Sequence, residues 1–369
     1  MENEDIYNEN INAILDIINQ KHNLVQAPRS KEILEILRIM FDAEDAAVGA
    51  YMSSIPESPD VIAERLNINK EKLVPILEKM ADKGTVLRIG EKENYFYGIF
   101  STDIGLFETA FGKGEISEKT KRLAKLWTDY YDGPWHDCFH QNKTSMARIV
   151  PIEKKIPAQQ EVLPYEKVSQ IIEKATFRSL TNCACKSAKI LSGEGCALNA
   201  PTEVCMLFGE IGRSLVAKGF AKEISKEKAF EIAKTAEDLG LVHLTVNVKN
   251  QIDVLCSCCP CCCVSLRGII KYDRPNAVAS SGYYASVVRN LCDGCKEFDS
   301  PRCIEHCPVG AISIKNNMVF GNANRCIGCG ICAHFCPIEG AIALKKKKDV
   351  SEPMEDIADL MTTLIGERV

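Results

Sequence analysis

The chain's 369 residues suffice for two or three domains with separate cores. Its formal net charge of -5 provides no global attraction for nucleic acid or membrane surfaces, and no apolar run reaches the ~18 to 20 residues of a bilayer span. The acidic opening MENEDIYNEN is unlike a secretory leader, so the cytoplasm is the expected compartment, and there nineteen cysteines point to metal ligation in preference to disulfides.

In chain order, KEILEILRIMF (31–41) repeats Ile and Leu at helical spacing. Ser58-Pro59 opens a second helix through DVIAERL. A turn at Asn67 and Asn69 leads to EKLVPILEKMADKG, where Pro75 threatens a local kink and Gly84 ends the helix. TVLRI and YFYGIF, separated by GEKEN, predict a hairpin. Helices followed by a two-stranded wing describe a winged helix over residues 1–100, a shape that does not by itself establish DNA binding. Lys70, Lys72, Lys79 and Lys83 are interleaved with Glu71, Glu78 and Asp82, and Lys92 of the wing lies between Glu91 and Glu93. Such a mixed face favours docking or structure over nucleic acid. Residues 101–165 predict a helical connecting region, with a helix around EKTKRLAKLWTDYY and prolines from Pro151 to Pro164. Within it, His136, Cys138 and His140 alternate in WHDCFH. A metal there would need a strand and a fourth ligand, so packing or exposure is expected.

No cysteine precedes Cys138, and all the others fall between Cys183 and Cys336. Cys183 and Cys185 lie in TNCACK, Cys196 in GEGC, Cys205 in PTEVC, and six more in CSCCPCCC, Cys256 to Cys263. The helix SKEKAFEIAKTAEDLG and the strand LVHLTVNV form a scaffold between these groups. A third iron–sulfur cluster is expected here. Its candidate ligands are Cys183, Cys185 and Cys196 with one or more of Cys256, Cys258 and Cys259, and Cys205 is an equal candidate. Thiols such as Cys261, Cys262 and Cys263 can instead pack as small apolar residues. Strand alternation prevents all six thiols of CSCCPCCC from reaching one small cube.

Further on, Cys326, Cys329, Cys332 and Cys336, followed by Pro337, match C-x2-C-x2-C-x3-C-P, the bacterial ferredoxin pattern. Gly328 and Gly330 allow the backbone to wrap around a cluster. Cys292, Cys295, Cys303 and Cys307, followed by Pro308, repeat the pattern with KEFDSPR inserted as a loop. VGAISI and EGAIALK repeat a Gly-Ala-Ile element after each motif. The duplication predicts two [4Fe-4S] clusters with crossed ligation: Cys292, Cys295, Cys303 and Cys336 for one, Cys326, Cys329, Cys332 and Cys307 for the other. Structural zinc would use four thiols per ion but would not explain the paired prolines or the duplicated segments.

The order VLPYEKVSQIIEKA, NCACK, GEGC, PTEVC, EDLGLVH and CSCCPCCC, followed by the duplicated motif, resembles a group of 4Fe-4S dicluster ferredoxin-like proteins found mostly in anaerobic bacteria and archaea. The likeness covers most of residues 30–345. Lys186 stands where that group has arginine, Ser257 where it has asparagine, and the first ferredoxin motif is lengthened after Cys295. The resemblance implies iron–sulfur redox work without fixing a reaction.

Together these readings give an α+β multidomain chain. A winged-helix-like domain (1–100) and a helical connecting region (101–165) precede a cysteine-rich helical middle domain (166–275). A bacterial dicluster ferredoxin-like module (276–348) and a helical tail (349–369) follow. The expected function is an electron-transfer protein or redox-complex subunit, serving a redox protein partner or a larger oxidoreductase complex. An oxidoreductase with a substrate-converting middle cluster and a redox-sensing winged-helix regulator are the alternatives. No phosphate-binding loop, dinucleotide fingerprint or HExxH is present.

Overall fold

A computed structural model describes residues 2–367 except 24–25, 92–93, 103–104, 140–141, 159, 161, 296–299 and 316–317; of residues 2 and 137–139 it describes the backbone alone. The wing residues Lys92 and Glu93, His140, the Cys138 side chain and part of the KEFDSPR insertion lie outside the described residues.

The first part is helical: α1 (Glu2–Ile18), α2 (Lys31–Met40), α3 (Ala43–Gly49), α4 (Pro59–Leu66) and α5 (Lys70–Lys83) lead into the antiparallel hairpin of β1 (Val86–Glu91) and β2 (Asn94–Ile99). Ser30, Asp42, Ser58 and Asn69 cap the helices from α2 to α5 through their side chains, satisfying first-turn N–H groups. The helix assignment of α5 is continuous across Pro75. Helices α6 (Leu106–Gly112), α7 (Glu118–Asp132) and α8 (Pro134–Phe139) follow. Their aromatic residues Phe107, Trp127, Tyr131 and Trp135 stack in the same apolar core as Ile14, Leu37 and Leu77. That core continues into the next region through Ala184, Leu215, Phe220 and Val264, so the helical part is joined to its neighbour by buried apolar surface.

The middle region comprises β3 (Ala147–Val150), α9 (Val168–Lys174), β4 (Arg178–Asn182), α10 (Ala184–Leu191), β5 (Glu203–Phe208), α11 (Gly209–Ala217), β6 (Lys222–Glu223), α12 (Lys226–Asp238), β7 (Val242–Val246), β8 (Val254–Cys258) and α13 (Val264–Ile270). Its six strands form one antiparallel sheet in the order β3-β7-β8-β5-β4-β6. The expectation of a helical middle domain is corrected accordingly, to a sheet carrying helices. The strands are short, and two of them carry cysteines where a period-2 apolar pattern would otherwise show, which hides them from periodicity. One strand, β3, comes from the segment expected to be only a helical connection.

The remaining elements are β9 (Tyr283–Val287), α14 (Arg302–Glu305), β10 (Ile312–Lys315), β11 (Met318–Gly321), α15 (Ile331–His334), β12 (Ile342–Lys346) and α16 (Ile357–Gly366). Each Gly-Ala-Ile repeat enters a strand, β10 or β12, preceded by a one-turn helix, α14 or α15. Strand β12 pairs with β9, and β10 pairs with β11. Among the described residues no helix is long and apolar enough to cross a membrane.

Candidate metal centres

In the C-terminal region the thiols sort into two sets. Cys307, Cys326, Cys329 and Cys332 line one cavity of about 350 Å3, counting its mouth, whose other walls include Val309, Ile312 and Ile327. The other set is gathered around Cys303, whose electrostatic neighbours are Cys295, Cys336 and Cys292; burial and these thiols push it up to about 12. Cys336 likewise neighbours Cys295 and Cys292. Burial also raises Cys329 and Cys332, followed in effect by Cys326 and Cys307 for the former and by Cys329 and Cys326 for the latter. Isolated thiols in such surroundings stay protonated, whereas a bound cation removes the proton. Four thiols converging on one apolar cavity are the donor set that a cuboidal iron–sulfur cluster takes.

The backbone prepares this cavity. Gly328 has φ +74°, and a Cβ there would collide with the Ser281 hydroxyl and the Tyr283 carbonyl oxygen, so only glycine lets the loop lie this close to β9. Ser281 donates from its hydroxyl to the Gly328 carbonyl at 2.8 Å, and Ile152 N–H donates to the Cys329 carbonyl at 3.0 Å. Two backbone N–H groups point at sulfur: Ala285 to Cys326 at 3.4 Å and Ala311 to Cys307 at 3.1 Å. Donors to sulfur stabilise its negative charge.

In the middle region CSCCPCCC splits in two. Cys256 and Cys258 stand on β8, and extending the β5–β8 register from Met206↔Leu255 by one residue places Cys205 opposite Cys256. Cys183 and Cys185, at the start of α10, and Cys263, at the start of α13, join them. The thiols are electrostatic neighbours in the order Cys183, Cys185, Cys263, Cys258, Cys256 and Cys205. The neighbouring thiols Cys185 and Cys258 hold Cys263 below the ordinary thiol range, and Cys205 and Cys258 do the same for Cys256.

The other half, Cys259, Cys261 and Cys262, meets Cys196 instead, all four sulfurs lying within 4.8 Å of one another. The expected ligand list is therefore divided. Cys183, Cys185, Cys205, Cys256 and Cys258 come together, while Cys196 and Cys259 belong to the second group. Cys261, Cys262 and Cys263, for which packing was the rival reading, fall within the thiol groups, and Cys262 and Cys263 are also buried. The usable signal was Pro260, which lies in the turn that follows β8 and redirects the chain.

Lys186 lies among these thiols and is fully buried. Its ammonium donates to the Ser257 carbonyl at 2.7 Å, and among the described residues no carboxylate reaches it at ion-pair distance. Burial opposes its charge, but the thiols of Cys183, Cys258, Cys259 and Cys185 outweigh that and hold its pKa above the ordinary lysine range. A buried ammonium needs a counter-charge, and sulfur is what this site offers.

His136 is buried on α8, a helix and not the strand that a shared ligand face would require, with its ring 3.5 Å from that of Tyr272. Burial lowers its pKa to about 4, followed by Lys271 and Arg274. On α5, Lys79 pairs with Asp42 and Glu44, Lys83 with Asp42 and Asp45, and Lys70 with Asp60. Glu78 and Asp82 of the same helix both hold Lys218 next to α11.

Comparison with known proteins relates the chain to ferredoxin-type iron–sulfur proteins at moderate identity over part of each chain. An uncharacterised ferredoxin of Methanocaldococcus jannaschii is 36% identical over 92 residues, covering 25% of this chain and 51% of that protein. Hydrogenase-4 component A of Escherichia coli is 33% identical over 99 residues, 26% of this chain and 45% of the relative. The iron–sulfur subunit of formate dehydrogenase-O of Escherichia coli is 32% identical over 81 residues, 18% and 27% of the two chains. The chain thus spans about half or less of the length of these relatives. No protein-family model and no solved structure matches it.

Proposed function

We propose that the chain is an iron–sulfur electron-transfer protein or redox-complex subunit. Two [4Fe-4S] clusters are held by Cys292, Cys295, Cys303 and Cys336 and by Cys307, Cys326, Cys329 and Cys332, in a dicluster ferredoxin-like module over 276–348. A third cluster is held in the middle region (166–275) by ligands drawn from Cys183, Cys185, Cys205, Cys256, Cys258 and Cys263. The observation that carries this reading is the cavity shared by Cys307 with Cys326, Cys329 and Cys332, because sequence order alone would assign Cys307 to the earlier motif. Such clusters supply one-electron transfer at potentials set by charge, hydrogen bonds to sulfur and solvent access.

The chain's own residues build the path. Cys258 and Cys263 of the middle group and Cys329 of the cavity are buried in one apolar cluster with Val242, Leu266 and Ile327. The N–H groups of Ala285 and Ala311 tune sulfur charge at one end, and Lys186 supplies positive charge at the other. Hydrogenase and formate dehydrogenase names among the relatives support a redox-complex partner. The winged-helix-like part (1–100), the connecting region (101–165) and the tail (349–369) are proposed as docking and support, since Lys70, Lys79 and Lys83 of α5 are taken up in ion pairs and leave little for phosphate. A substrate-converting middle cluster is the second reading, favoured by six thiols where one cube takes four ligands.

Paired variants test the crossed ligand sets. Cys303→Ala with Cys336→Ala should lose about four irons, no more than either alone, whereas Cys303→Ala with Cys307→Ala should lose about eight. The reverse pattern would overturn the assignment.

A further inference from the structure

The cluster reading does not absorb the second thiol group of the middle region. Cys196 lies 3.7 Å from Cys259 and 3.9 Å from Cys261, and Cys261 lies 3.6 Å from Cys262, measured between sulfurs. All four sulfurs fall within 4.8 Å of one another. A tetrahedral ion with thiolates at about 2.3 Å needs sulfur–sulfur edges of about 3.8 Å. A four-iron cube cannot accept so small a tetrahedron, because each thiolate binds a different iron and points outward from it.

We propose that Cys196, Cys259, Cys261 and Cys262 form a site for a single thiophilic divalent ion, zinc or ferrous iron, separate from the iron–sulfur clusters. Cys259 and Cys262 are buried and share an apolar pocket with Ala200, Val204, Ala236 and Leu241. Such a closed four-thiolate shell leaves no open position for substrate and marks a structural ion.

Its placement explains its use. The loop carrying Cys196 follows α10, which bears Cys185, and the turn carrying Cys259, Cys261 and Cys262 connects β8 to α13, between Cys258 and Cys263. One ion therefore clamps two backbone segments, 63 positions apart in sequence, that both supply thiols to the adjacent six-thiol group. The glycines before Cys196, Gly193 and Gly195, have positive φ and open space around them, so the loop can close on the ion without steric resistance.

The test uses the full chain, purified anaerobically, with iron and zinc counted per chain. Cys261→Ser with Cys262→Ser should remove one zinc, or one iron if iron occupies the site, and leave the cluster absorbance unchanged. Loss of about four irons, or no change in either metal, would overturn the proposal. If the variant does not fold, X-ray absorption of the wild-type protein decides for zinc: four sulfur neighbours at about 2.3 Å support the site, and a nitrogen or oxygen shell refutes it. If zinc is absent, Mössbauer spectroscopy of the wild type takes over. A mononuclear tetrathiolate iron beside the clusters supports the site, and its absence refutes it.

Discussion

Cys326, Cys329 and Cys332 reach one cavity from a single short loop, whereas Cys183, Cys205, Cys256 and Cys263 converge from two helix starts and two strands of a six-stranded sheet. In the first region local backbone does the placing: a glycine that tolerates positive φ, a hydroxyl that ties down the loop, and N–H groups aimed at sulfur. In the second, sheet register and a buried ammonium do it. The comparison teaches that thiols close in sequence need not gather at the same place. Cys258 and Cys259 are adjacent yet belong to different groups, and Cys307 sits with cysteines of the later motif.

The largest expected effect falls on the local arrangement. Gly328→Ala forces a methyl against Ser281 and Tyr283 at a left-handed position, and should cost about 3 kcal/mol or more. A lowered urea midpoint with loss of one cluster's absorbance would register it; an unaltered midpoint would break the contrast with the middle region. The charge-based arrangement is probed by Lys186→Met, which removes the buried cation and keeps its bulk. Reduction becomes harder without it, so the middle cluster's midpoint potential should fall by on the order of 100 mV at an effective dielectric of about 20. The C-terminal potentials should hold. An equal shift in all potentials would show that Lys186 acts through the fold at large.

The smallest effect lies at the seam between α8 and the Tyr272 segment. His136 has a folded pKa of about 4, below the ordinary histidine value, so the unfolded chain binds the proton more readily. Stability from this group is intact above about pH 6.5 and declines as pH falls toward 4, by roughly 1–3 kcal/mol. His136→Gln should flatten that part of the urea-midpoint profile; an unchanged slope would place the acid sensitivity elsewhere.

The helices at 31–40, 59–66 and 70–83 and the hairpin that follows were legible because stripes, caps and a turn agree locally. The duplicated ferredoxin spacing was legible for the same reason. The middle sheet was not. Its strands, such as RSLTN and VLCSC, are short, and their partners lie far apart in sequence, so nothing local announces the register that sets Cys205 against Cys256. Nor could the sequence separate Cys196 from Cys185, since that division depends on where the turn at Pro260 points. Lys186 was noticed only as a replacement for arginine; its burial among thiols is a tertiary fact.

Acid-labile sulfide tests the central claim most directly, because zinc–thiolate sites contain none while every four-iron cube carries four. Anaerobically purified full-length protein should release about twelve sulfides per chain, matched by about twelve cluster irons. Bound metal with no sulfide would contradict the account.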